Sequence, residues 1–127
     1  MGQAAAHHQA LTHLRRLGER TDVTCALNGL GEALVATGQA ELARTRHADA
    51  LTAALETTNR YEQARAHNGI AATHRNTGDL EQARHHWQHA LALYTDLGLP
   101  DAETVRAHLT ALAQVHPDPG PALEDWK

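Results

Sequence analysis

Apolar residues recur at helical spacing along most of this chain. Leu27, Leu30, Gly31 and Leu34 fall at i, i+3, i+4 and i+7, which is one face of a helix. Forty positions later His67, Ile70, Ala71 and His74 occupy the same places. The spacing predicts six helices, at about 3–17, 22–37, 40–57, 61–77, 80–97 and 101–115. Gly38 and Gly78 stand between helices, where glycine adopts the left-handed conformation that closes one. Asp79 with Gln82 reads as an N-cap and its capping-box partner, whereas Gln39 is a poorer cap. Leu97-Gly98-Leu99-Pro100 ends one helix and starts the next. The stretch from His116 to Pro121 holds three prolines and cannot continue a helix. The expected organisation is a helical domain over 1–115 and an extended Pro-rich tail over 116–127.

The forty-residue step is strict. It relates Asn28 to Asn68, Gly29 to Gly69, Gly38 to Gly78 and Ala43 to Ala83. Ala10-Leu11, Ala50-Leu51 and Ala90-Leu91 keep it too. Self-similarity of this length indicates stacked supersecondary units. A unit that cannot bury its apolar face alone is completed by its neighbour. A large residue at Ala43, Ala50, Ala83 or Ala90 should overpack the interface.

Composition supports the helical reading. Phe is absent, Trp and Tyr occur twice each, and β-branched residues are sparse. The net charge is −4, and Arg15-Arg16 with Arg20 is the densest basic group. Nucleic-acid binding needs a clustered basic face, so no direct nucleic-acid partner is expected. The single cysteine, Cys25, allows no internal disulfide, and a reducing cytoplasm is the simplest location. No apolar run approaches a membrane span, and no signal-peptide or myristoylation pattern opens the sequence.

These residues resemble the tetratricopeptide repeat in its longer, forty-residue form. Leu27, Leu30, Gly31, Leu34, Gly38, Ala43 and Ala50 match its pattern in one unit. Ile70, Gly78, Ala83, Trp87 and Ala90 match it in the next, with His74 departing from a large apolar position. Residues 3–17 look like a helix B without its A, and 101–115 like a final helix A. The resemblance implies an all-α, right-handed superhelical array of antiparallel helix pairs that binds protein or peptide. Residues 90–109 also look like the last repeats of large actinobacterial transcriptional regulators. That likeness implies the sensor or interaction part of a regulator, and credits no DNA- or nucleotide-binding function to this sequence.

In such an array the A helices line the concave face. The expected peptide groove comprises Asn28, Glu32, Val35, Arg65, Asn68, Ala72, Arg75, Asn76 and His108, with Cys25, Ala36, Val105 and Leu112 on the same side. The paired Asn28 and Asn68 offer donors and acceptors suited to an extended peptide backbone, or else bond neighbouring side chains. Arg65 and Arg75 would hold a carboxylate or an acidic segment, unless Glu32 pairs with one of them.

Eleven histidines raise the question of metal. His85 and His89 have i, i+4 spacing but fall on the solvent side, and the reading is a solvated pair with no metal or cofactor. His67 and His74 face the core, either bonded to a neighbour or as a pH-sensitive packing element. No histidine is placed to activate Cys25, so no enzymatic role is expected. The alternative to a peptide binder is a homodimer, formed through the uncovered side of helix 3–17 or by helix exchange.

Overall fold

The computed structural model describes residues 2–115, with side chains from Gln9 onward. The expected tail over 116–127 lies outside the described residues. Five helices make up the fold: α1 (Gly2–Ala36), α2 (Ala40–Glu56), α3 (Arg60–Asn76), α4 (Leu80–Asp96) and α5 (Asp101–Val115). No strand occurs among the described residues. Each helix packs on the next, and α1 also packs on α3.

The four turns repeat one device every twenty residues. The amide N–H groups of Gln39, Asn59, Asp79 and Leu99 donate to the carbonyls of Leu34, Ala54, His74 and Tyr94, at 2.8, 2.8, 2.9 and 3.0 Å. These bonds close each helix over a left-handed residue: Gly38, Thr58, Gly78 or Gly98, with φ of 80°, 52°, 88° and 69°. Thr58 pays the steric penalty that the three glycines avoid. The Asn59 and Asp79 side chains then accept from Glu62 N and Gln82 N, both at 3.1 Å, capping α3 and α4. Gln39 makes no such side-chain bond, as its chemistry predicts.

Gly18 occupies the fifth position of this twenty-residue series, yet it lies inside α1. The two helices expected at 3–17 and 22–37 are therefore one helix of 35 residues. Local signals there favour continuation. Glu19 stands where Asn59 and Asp79 cap the following helices, and it offers no suitable cap. No proline follows, and Glu19 and Arg20 are good helix formers. A glycine costs about 1 kcal/mol inside a helix, too little to break it unaided. Thr21 and Thr24 hydroxyls also bond back to the carbonyls of Leu17 and Arg20, at 3.0 and 2.8 Å.

Ala43, Ala50, Ala83 and Ala90 are fully buried, which is why helix axes approach closely there. The buried apolar core lies between α3, α4 and α5, around Trp87, Tyr94, Val105 and Leu112. Val105 and Leu112 thus belong to the core and not to a groove face. Leu30 is 47% exposed, because α1 turns Thr24, Asn28 and Gly31 inward instead. This rotation places polar groups at the α1–α2–α3 junction.

Candidate functional site

Glycine pairs with histidine at the centre of that junction. His47, on α2, is fully buried. A Cβ on Gly31 would lie 2.5 Å from its Nε2, and one on Gly69 would lie closer still. The imidazole therefore fits only because α1 and α3 both present glycine to it.

A directed hydrogen-bond chain fixes the ring's protonation. Arg65 donates from Nε and Nη2 to both Glu32 carboxylate oxygens, at 2.8 and 2.7 Å, and from Nη1 to Glu62 Oε1 at 3.2 Å. Asn28 Nδ2 donates to the Glu62 carbonyl at 3.1 Å and to Glu62 Oε1 at 3.0 Å. Asn28 Oδ1 is then the acceptor that faces His47 Nδ1, 2.7 Å away. An amide oxygen cannot donate, so Nδ1 carries the proton and Nε2 carries a lone pair. Burial lowers the His47 pKa, opposed by the charge of Glu32 and helped by that of Arg65, so the ring stays neutral. The hydrogen bond from Arg65 is the main cause lowering the Glu32 pKa, with burial opposing it. His47 Nε2 has no hydrogen-bond partner among the described residues.

The forty-residue step reproduces this bond in the second unit with a different ring. Trp87 stands where His47 does, and its Nε1 donates to Asn68 Oδ1 at 2.8 Å. The matched asparagines are thus acceptors for a ring N–H from the following helix. This corrects the groove assignment of Asn28, which is fully buried with both ends of its amide engaged. Asn68 is half-buried. Its oxygen accepts from Trp87, and the residue also lines a cavity beside the His47 ring.

A cavity of about 170 Å³ opens beside the His47 ring, lined by Glu32, Val35, His47, Asn68, Gly69, Ala72 and His108. The structure brings together five residues of the expected groove there: Glu32, Val35, Asn68, Ala72 and His108. They come from α1, α3 and α5, the alternate helices. His47 and Gly69 were missed. The only signal for them was the forty-residue match of His47 to a second ring, Trp87, and of Gly69 to Gly29.

The remaining expected residues have other places. Arg65 is committed to Glu32 and Glu62, which offsets its charge. Arg75 lies over the Trp87 ring, 5.2 Å from its centroid, and its Nη1 is 3.4 Å from His108 Nδ1. His108 itself stacks on Trp87 at 4.7 Å, and burial followed by the Arg75 charge lowers its pKa. Asn76 is exposed and does not line the cavity. Cys25 is exposed, with its sulfur 3.4 Å from Arg65 Nη1.

On the other face five imidazoles form a continuous cluster, partly stacked and partly edge-on. His67 stacks on His89 at 4.7 Å and lies 5.2 Å from His86, which also contacts His74 and His85. His67 Nδ1 and His86 Nδ1 are 3.0 Å apart, so one of them carries a proton shared between the two. His85 and His89 are exposed. Among the described residues no group of three or more His, Cys, Asp or Glu is arranged to hold a metal ion, and no helix is long and apolar enough to cross a membrane. No protein-family model matches the chain, and no significant match exists among curated proteins or solved structures.

Proposed function

We propose that this chain is a protein- or peptide-binding helical-repeat module, built as a right-handed superhelix of tetratricopeptide type. Its resemblance to the last repeats of actinobacterial regulators makes it the interaction part of a bacterial regulatory protein acting in the cytoplasm. The observation that carries the reading is the cavity beside Gly69. It collects side chains from α1, α3 and α5 at one point, as an extended ligand crossing alternate helices requires. Nothing in this reading calls for catalysis. Preference for an acidic segment rests on Arg75 alone, since Glu32 and Glu62 neutralise Arg65.

Selection of extended peptides from a displayed library tests the reading. Ala72 is half-buried at the cavity wall and touches the edge of the core, so Ala72→Arg fills the groove, and its fold is checked alongside binding. It is expected to weaken the selected peptides at least tenfold with an unchanged circular dichroism spectrum. Equal affinity in the variant would place binding elsewhere.

A second reading is self-association. The part of α1 before Gly18 carries Leu11 and Leu14, 48% and 61% exposed, and Val23 beyond it is 56% exposed. Exposed large apolar residues clustered on one helix favour a partner helix. Under this reading light scattering gives a dimer, and Leu14→Glu converts it to a monomer. A monomeric wild-type chain would remove it.

A further inference from the structure

The first half of α1 carries an interface face that nothing among the described residues covers. The forty-residue step sets Ala10 with Ala50 and Ala90, and Leu14 with Ala54 and Tyr94. Those four counterparts are buried, at 2% exposure or less, whereas Ala10 and Leu14 are exposed. The second half of α1 is bare in a complementary way. On α3, Gly69 and Thr73 face α2: a Cβ on Gly69 would strike the His47 ring, and Thr73 accepts from Arg44 Nε at 3.0 Å. Ala66 and Ile70 complete that stripe at helical spacing, and all four are buried. Their counterparts on α1 are Ala26, Gly29, Leu30 and Ala33, of which only Gly29 is partly covered. A Cβ on Gly29 would meet only Arg65 Nη2, at 3.6 Å, so nothing within the chain requires glycine there.

The α2–α3 interface supplies the register in which the two bare faces fit. Gln63 Nε2 donates across it to the Ala54 carbonyl, at 3.3 Å. Forty residues earlier stand Val23 and Leu14, 56% and 61% exposed. In that antiparallel register Leu11 comes level with Ala26, and Arg15 with Asp22. Arg15 and Asp22 are opposite in charge, and neither enters an ion pair among the described residues.

One chain cannot make this contact. α1 continues as a single helix through Gly18, which holds Leu14 and Val23 about 13 Å apart along its axis. Two chains make it twice, because the first half of each α1 then covers the second half of the other. The midpoint between Leu14 and Val23 falls at Gly18–Glu19, so the contact is isologous about a two-fold axis there. A Cβ on Gly18 would meet nothing within 4 Å in its own chain. At the axis, its lack of a side chain lets the two helices approach closely.

We propose that two copies of this chain exchange the first halves of α1, each docking Leu11 and Leu14 against Val23, Ala26 and Leu30 of the other. The proposal rests on the self-association reading and supplies its register. The docked half sits on α1 as α2 sits on α3, and so continues the existing stack by one helix.

Oxidative cross-linking of the full chain tests this, in a Cys25→Ser background that removes the native thiol. Leu14→Cys with Val23→Cys should give a covalent dimer in oxidised glutathione, and Leu14→Cys alone should not. Ala26→Arg, at an exposed position of the single chain, should raise the dimer dissociation constant at least roughly tenfold with an unchanged circular dichroism spectrum. Arg15→Asp and Asp22→Arg should each weaken the dimer, and the two together should restore it. A covalent dimer through Leu14→Cys alone, or a dimer indifferent to Ala26→Arg, would overturn the exchange while self-association stands. A disulfide within one chain would overturn it by showing that α1 folds back at Gly18. A monomeric wild type would overturn the exchange and the self-association reading together.

Discussion

Trp87→Ala is expected to lower stability by about 3–5 kcal/mol, the largest effect of any single truncation in this chain. Trp87 is the largest fully buried side chain. Removing it leaves a cavity in the buried apolar core between α3, α4 and α5. It also strips Asn68 Oδ1 of its donor and His108 of its stacking partner. In a domain whose total stability is on the order of 5–15 kcal/mol, this is a large share. Thermal unfolding should shift down by about 10–20 °C. Trp87→Phe separates the two contributions. It keeps most of the volume and loses the bond to Asn68, so it should cost roughly 1–2 kcal/mol. Equal losses for both variants would mean that the hydrogen bond, and not the volume, holds this slot.

Acidification is expected to destabilise the fold between pH 6.5 and about 4. Burial is the main cause that lowers the pKa of His67 and His86 from 6.5 to about 4, and the neighbouring histidines add to it. His86 also feels Arg44, as does His74, where Asp79 opposes. The sign follows from proton uptake. Below pH 6.5 the unfolded chain protonates these rings while the folded chain does not, so stability falls as pH falls. The loss is complete once the folded rings protonate near pH 4. Each pKa unit is worth about 1.4 kcal/mol. The two rings share a proton site and are partly solvated, so about 2 kcal/mol for the pair is the discounted figure. Glu32, whose pKa is lowered, gives stability lost only below its ordinary 4.5, so pH 5–6.5 isolates the histidines. Urea unfolding of wild type and His86→Gln at pH 7 and 5 reads this out. The variant should lose less on acidification, and a wild-type stability that does not change would contradict the assignment.

Much of this architecture was legible in the sequence because it depends on local rules. Gly38, Gly78 and Gly98 mark three of the four turns, with Asp79 as a cap and Pro100 at a helix start, and the helix ends predicted around the four turns lie within a residue of those found. The break expected between residues 17 and 22 is absent, because a permissive residue such as Gly18 does not by itself make a turn. Glu19 supplies no cap, and residues 9–20 are mostly exposed, so no packed neighbour demands a reversal there. The groove was legible in part. Periodicity located the A-helix face, and Glu32, Val35, Asn68, Ala72 and His108 line one cavity. Asn28 illustrates the limit. Two matched polar residues look alike on a helical wheel, but their partners belong to other helices. Whether such a residue faces ligand or neighbour depends on the helix rotation, and here Gly31 drew Asn28 inward by admitting His47. The tautomer of His47 could be reasoned out only once Glu62 and Arg65 were known to complete the chain.

The central claim is that polypeptide binds across α1, α3 and α5. Backbone amide shift mapping of the full chain with a library-selected peptide tests it most directly. The account predicts perturbations centred on Glu32, Val35, Asn68, Ala72 and His108. Perturbations centred on His85, Gln88 and Ala92, which line a shallow depression on the histidine-rich face, would contradict it.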